Sequence, residues 1–204
     1  MVSFRQARRV RASAGAAAQR KLRSRTVDRV PTAEPFDPIA EAHRQWSARW
    51  PAHADHMAAV TSVMRVQQIL LARIEDTLQP YGLTFAAYEA LQLLAFTRSG
   101  SMPMGKLGER LMVHPASVTN AIRKLEQRGF VQRHMSPDDR RVVLATITQQ
   151  GRTIAHNATK LLNQANFGLQ ALSRDETADL ATMLRNVRIG VGDIPASASA
   201  TESR

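Results

Sequence analysis

The sequence predicts a mainly α-helical fold carrying one small β-hairpin, with helices from both chain ends enclosing the hairpin-bearing middle. Three observations predict it. Apolar residues recur at helical spacing on both sides of the middle. Within Met104 to Thr148 the period changes after Gly129 from 3.6 to about 2. The two period-2 runs flank a turn-rich loop, Met135 to Arg141. Helix, short turn, helix and hairpin in that order make a winged helix-turn-helix. Its second helix suits a DNA major groove, and its wing can reach the minor groove or the backbone.

Taken in order, residues 1–36 hold Arg-rich and Ala/Ser-rich segments with few large apolar side chains, a composition that cannot offset its ordering entropy. A disordered basic tail is expected. Asp37 to Trp50 predicts a helix, with Ile39, Ala42 and Trp46 at helical spacing and Pro51 interrupting. From His53 to about Gln79 a longer helix is expected. Met57, Val60, Met64, Gln67, Leu71, Ile74 and Leu78 repeat alternately at 3 and 4, the seam of a helix–helix contact. Val63, Val66, Ile69 and Leu70 widen that surface, so the helix wants more than one neighbour. Residues 37–79 are therefore read as N-terminal dimerisation helices.

Pro80 and Gly82 stop the long helix, and residues 80–148 form the DNA-binding domain of this reading. Thr84 can cap a helix from Phe85 to Thr97, with Phe85, Tyr88, Leu91 and Leu94 or Ala95 inward. Met102-Pro103 can lend a short third strand before the helix Met104 to Leu111. Pro115 suits the first turn of the next helix, where its missing N–H costs little. Val118, Ile122 and Leu125 form its buried stripe, and Gly129 ends it in the left-handed position. Phe130 to His134 and Val142 to Ile147 are the strands, rich in β-branched residues. Thr148 caps a helix expected to reach about Ala171, with Ile154, Leu161, Leu162, Ala165 and Leu169 inward. Ser173 to Glu176 is a capping box opening a last helix with Leu180, Met183, Leu184 and Val187. Residues 149–189 are read as C-terminal dimerisation helices and residues 190–204 as a flexible tail.

The bulk numbers narrow the class. Of the net charge of +11, residues 1–30 contribute +8, from nine basic side chains against one acid, so strong basicity belongs to the tail. That tail reads as an arm attracted to phosphates, as a solvated segment or too early a start, or as an Arg-rich transit peptide. No apolar run approaches the roughly 18 residues of a membrane span, so no membrane partner and a cytoplasmic, nucleoid-associated location are expected. With no cysteine there is neither a disulfide framework nor a thiol sensor. No nucleophile elbow, phosphate loop or carboxylate motif appears, so neither enzymatic activity nor a cofactor is expected.

Ser117, Thr119, Asn120, Arg123 and Lys124 line the polar face of the second helix of the motif, which carries no acid. Asn120 and Arg123 can read base edges, amide to adenine and guanidinium to guanine. Ser117, Thr119 and Lys124 suit phosphates. His114 stands at the cap position instead of a hydroxyl or carboxylate residue.

Several runs together resemble the MarR (multiple antibiotic resistance) family of transcriptional regulators. They are Tyr81-Gly82-Leu83-Thr84, Leu107-Gly108-Glu109-Arg110-Leu111, Ser117-Val118-Thr119-Asn120, Leu125-Glu126-Gln127-Arg128-Gly129, Asp138-Asp139-Arg140-Arg141 and Ile147-Thr148-Gln149-Gln150-Gly151. Each is weak alone; their order and spacing over about residues 61–188 are specific. The resemblance implies a homodimer on double-stranded DNA, and a wing in which Asp139 steadies an arginine at the minor groove. Arg141 matches that position, and Arg140 is a second candidate. Gln45-Trp46-Ser47-Ala48-Arg49-Trp50-Pro51 resembles the extended N-terminus of the family's urate-responsive branch. That resemblance implies effector contacts at Trp46, at Glu89 in place of an aspartate, and at Arg133. Ala121 stands where a second anion-pairing arginine belongs, so the expectation is a small anionic or aromatic effector rather than urate specifically. The alternative is that Trp46 only packs the dimer.

The reading is therefore a sequence-specific transcriptional regulator, a ligand-responsive homodimeric repressor on a pseudo-palindromic operator. Two other classes stand beside it. One is a sequence-blind architectural DNA-binding protein driven by the basic tail. The other is a metal-dependent enzyme or sensor using His53 and His56, although no third ligand is fixed by sequence and no metal is expected.

Overall fold

The computed structural model describes residues 36–111 and 115–195. The basic tail before Phe36, His114 and the last residues of the chain lie outside the described residues. The chain divides into two compact units, up to Ala59 and from Val60 onward, with the boundary inside one helix.

The N-terminal unit holds α1 (Pro38–Arg49), a 3-10 turn (Pro51–His53) and the start of α2 (Ala54–Leu78). Asp37 begins α1 by accepting the Ile39 amide at 2.9 Å; without it that first-turn N–H would have no intrahelical partner. Pro51 prevents a direct continuation into α2. His43 Nε2 meets Asp55 Oδ1 at 2.8 Å, tying α1 to the first turn of α2. The Trp46 and Trp50 rings lie 4.8 Å apart, tilted by 48°.

In the second unit, α2 ends in a 3-10 turn (Gln79–Tyr81) and a left-handed Gly82 at φ 57°. Next come α3 (Phe85–Phe96), β1 (Ser101–Pro103), α4 (Met104–Leu111) and α5 (Pro115–Gln127). The hairpin β2 (Val131–Met135) and β3 (Val143–Ile147) precedes α6 (Gln149–Gln164) and α7 (Arg174–Gly190). The sheet is antiparallel in the order β1-β3-β2, with Ser101 opposite Thr146 and Arg133 opposite Ala145. The expected third strand is present, one residue longer than read. The core joins Leu78, Leu91, Leu94, Leu107, Ile122, Leu125 and Leu162, each almost fully withdrawn from water.

The helix expected to reach Ala171 stops at Gln164. Asn166, Phe167 and Gly168 take positive φ angles of 43°, 50° and 86°, which no right-handed helix can contain. Gly168 tolerates this without a Cβ penalty and Asn166 is among the residues that visit it most readily. Arg73 fixes the break by donating to the Gly168 carbonyl at 3.2 Å. The buried face of α6 is Gly151, Ala155, Ala158 and Leu162. Of the residues expected inward, Leu162 is buried and Ile154 packs half-buried on the core, while Ala165 is the cap and Leu169 lies beyond the break.

The capping box of α7 forms as read: Ser173 Oγ accepts the Glu176 amide at 3.2 Å and Glu176 accepts that of Ser173 at 2.8 Å. Yet α7 buries no residue, and Met183 and Val187 are 60% and 62% exposed. On α2, Val60, Val63 and Met64 are likewise more than half exposed. A groove of about 710 Å³ separates these helices, lined by Val63, Val66, Leu70, Leu180, Ala181 and Leu184. In the last turn of α7, Arg188 donates to Asp193 just beyond the helix at 2.6 Å.

Candidate nucleic-acid interface

α5 follows α4 and packs on both α3 and α4, with Val118, Ile122 and Leu125 buried. Packing that stripe inward turns the opposite face outward: Ser117, Thr119, Asn120, Arg123 and Lys124 are all exposed. Arg123 Nη2 donates to Asn120 Oδ1 at 2.8 Å, so the two side chains best suited to base edges are held side by side. The carbonyl oxygen keeps a second lone pair and the amide keeps its donors.

The one acid of α5, Glu126, sits in the last turn and meets Arg133 of β2, with Nε at 2.7 Å and Nη2 at 2.5 Å. The hydrogen bond from Arg133 holds that carboxyl below the usual range. The polar face is thus not opposed by an uncompensated negative charge on its own helix.

The wing is a turn built by aspartate. Asp139 Oδ1 accepts the Arg141 amide at 2.9 Å and Arg141 Nε at 3.1 Å, while Oδ2 accepts Nη2 at 3.0 Å. These bonds, led by the side-chain pair, hold Asp139 below the ordinary carboxylate range and raise Arg141. Val142 N donates to Asp139 O at 2.9 Å and Ser136 N to Val142 O at 2.8 Å, closing the loop. Arg141 remains 91% exposed along its side chain despite the pair, and Arg140 beside it is exposed too. Two guanidiniums therefore stand at the tip of a braced hairpin.

Arg128, one residue past α5, was visible in sequence only as part of a family run. Its guanidinium donates to Gly82 O at 2.7 Å and Tyr81 O at 2.6 Å, and lies 4.6 Å from the Phe130 ring centroid. A basic residue beside a helix-ending glycine is the one sequence signal for such a role. Nearby, Thr148 Oγ1 donates to Gly129 O at 2.8 Å, and the Thr148 amide reaches Phe130 O at 3.0 Å.

The candidate effector residues are divided between the two units. Trp46 belongs to the N-terminal unit and is 38% exposed against Trp50. Glu89, on α3, is half-buried, and burial pushes its carboxyl up. Arg133 is engaged by Glu126. Ala121, in place of an arginine, is buried in α5. His53 and His56 have ring centroids 6.1 Å apart, while Asp55 turns to His43. Among the described residues no three His, Cys, Asp or Glu side chains gather as a metal site. Among the described residues, too, no helix is long and apolar enough to cross a membrane.

The MarR family model matches residues 83–143, from the loop before α3 to the first residue of β3. A MarR family transcriptional regulator from Streptomyces coelicolor, solved at near-atomic resolution, is 48% identical and superposes with a TM-score of 0.64. That match covers 69% of this chain and 97% of the other. The uncharacterized HTH-type transcriptional regulator YhbI of Bacillus subtilis is 33% identical over 107 residues, 52% of this chain and 67% of its own. A second Streptomyces coelicolor MarR family regulator, solved in complex with DNA, shares the fold at 23% identity and a TM-score of 0.60, over 72% of this chain and 92% of its own.

Proposed function

The chain belongs to the MarR family of DNA-binding transcriptional regulators, and on that premise we propose that it is a homodimeric, effector-responsive repressor of a pseudo-palindromic operator. The observation that carries the proposal is the acid-free exposed face of α5 beside an arginine-tipped wing. Two copies of α5 would enter successive major grooves, one helical turn apart. Asn120 and Arg123 are the proposed base readers, with Ser117, Thr119 and Lys124 on phosphates. Arg141, braced by Asp139, and Arg140 are the proposed wing contacts with the minor groove or the backbone. The exposed apolar faces of α2 and α7 support the dimer, since an apolar surface of that kind is stabilised by covering it.

For the effector we propose a small anionic or aromatic molecule that uses Trp46, Glu89 and Arg133. Because Arg133 is already paired with Glu126, an anion binding there would compete with a contact between wing strand and recognition helix. Such an effector shifts DNA affinity only as far as it binds the DNA-competent and incompetent states differently. The proposed site of action is the nucleoid in the cytoplasm.

Substituting Arg123→Ala tests the interface. If Arg123 makes a bidentate base contact, binding to a duplex selected by the wild-type protein weakens by about 1–3 kcal/mol while scrambled DNA is bound nearly as before. Equal loss on both duplexes would remove Arg123 from base reading. The +8 carried by residues 1–30 favours one second reading, an architectural binder blind to sequence. Deleting residues 1–36 separates the two. The repressor keeps its sequence preference and loses part of its salt dependence, whereas the architectural binder loses binding altogether.

A further inference from the structure

Two joints meet at the carboxyl end of α5, and they differ in kind. Glu126 and Arg133 join α5 to its own wing. Arg128 joins the end of α5 to the end of α2, through two hydrogen bonds of 2.7 and 2.6 Å to the carbonyls of Gly82 and Tyr81. Those carbonyls lie where α2 gives way to the 3-10 turn and to left-handed Gly82, whose own amide is held by Gln79 O at 2.8 Å. The fork is close-fitted: a Cβ on Gly82 would stand 3.1 Å from Arg128 Nη1. The Phe130 ring supports its other side, at 4.6 Å.

The other described route from α2 to α5 passes through α3: Glu75 Oε1 accepts the Phe85 amide at 3.4 Å where α3 begins, and the packing onward to α5 is apolar, among Leu78, Leu91, Leu94, Val118 and Ile122. Apolar packing is non-directional, so it holds α5 against α3 without strongly fixing its pitch or its slide along the axis. A planar guanidinium forked onto two carbonyls is directional.

We infer that Arg128 is a positioning residue that fixes the pitch of the recognition helix to the end of α2, and so sets the half-site spacing the protein accepts. The inference rests on the proposal that α2 builds the dimer and α5 reads DNA. In a two-fold dimer the α2 pair is the frame, and the separation of the two recognition helices is the sum of two such joints. Arg128 lies past the reading face, so this role differs from base contact.

The test is a spacing profile. Wild-type protein selects a duplex from a randomised pool. Affinity is then measured for that duplex and for versions with one base pair added or removed between half-sites. Wild type is expected to lose roughly an order of magnitude on either change, a loss comparable to a mismatched base pair. R128M, which keeps an unbranched apolar stem over Phe130 but has no donors, is expected to flatten the profile to within about three-fold. Its affinity for scrambled DNA falls only as one lost charge requires. R128K keeps the charge but not the fork, and is expected to flatten the profile partly; should R128M not fold, R128K decides alone. A folded variant that weakens all three duplexes by one common factor, or that keeps the wild-type profile, overturns the positioning role. A wild-type protein that selects no sequence overturns the regulator reading itself, a result separable from the other two.

Discussion

Gly151 gives the sharpest stability test of how the wing seats on α6. It lies in the first turn of α6, buried, with its amide donating to Thr148 Oγ1 at 3.0 Å. A Cβ there would fall 2.2 Å from Phe130 O, 3.0 Å from Phe130 C and 2.9 Å from Ile147 Cγ1. The first two are backbone atoms, so relief requires moving the start of the hairpin and not merely rotating a side chain. Overpacking of this kind costs about 1–3 kcal/mol. Phe130 O also accepts from the Thr148 amide at 3.0 Å, and weakening that bond adds about 1 kcal/mol. Against this, alanine gains about 0.5–1 kcal/mol over glycine within a helix. Gly151→Ala is therefore expected to destabilise by about 1–3.5 kcal/mol net, and to lower the urea midpoint by roughly 0.5–2 M at an ordinary m-value. The measurement is equilibrium urea unfolding at one fixed protein concentration, because the proposed dimer would make apparent stability depend on concentration. Gly105→Ala is the control: nothing lies within 4 Å of its Cβ position, so it should be neutral or stabilising by up to about 1 kcal/mol. A Gly151→Ala midpoint at or above wild type would refute the close seating of α6 on Phe130.

Two further expectations concern charge. Burial raises the Glu89 carboxyl, so its ionised form carries a penalty that is full above the folded pKa and vanishes below the unfolded one, about 4.3. Glu89→Gln should accordingly be more stable than wild type at neutral pH, with the difference closing as pH falls through that window. Thermal melts at several pH values check this, and a constant or reversed difference contradicts it. Asp139 is lowered by Arg141, so its contribution to wing order is present above the ordinary carboxylate pKa of about 3.9 and is lost as pH falls through the folded value. Carboxyl NMR shifts should place the Asp139 midpoint below that of an unpaired aspartate, and Asp139→Asn should loosen the Arg141 side chain at neutral pH, with the difference from wild type closing as pH falls through the folded value.

The exposed polar face of α5 was legible because local periodicity alone decides it: Val118, Ile122 and Leu125 turn inward, leaving Asn120 and Arg123 outside. The wing was equally legible, since Ser136, Pro137 and Asp139 each have a turn-forming reason of their own. The caps at Thr84, Thr148 and Ser173 also followed from local chemistry. What escaped depends on distant partners. Leu161, Leu162, Ala165 and Leu169 continue a helical pattern straight across the break at Asn166 to Gly168, and only the contact with Arg73 shows where α6 stops. Apart from Leu162, the buried face of α6 is made of Gly151, Ala155 and Ala158, residues too small to stand out in a hydrophobic pattern. The pairing of Arg133 with Glu126 joins two elements and leaves no mark in local periodicity. Arg128 finds its carbonyls more than forty residues earlier in the chain, at Tyr81 and Gly82.

The proposed function requires that this winged helix read sequence rather than charge. It is tested most directly by fluorescence anisotropy of the purified full-length protein on the intergenic duplex beside its own gene. The titration is run at two salt concentrations with scrambled DNA as competitor. Binding in the nanomolar range or tighter that survives the competitor at the higher salt is expected of a specific regulator. Weak binding that the competitor removes, falling steeply with salt in step with the basic charge, would contradict it.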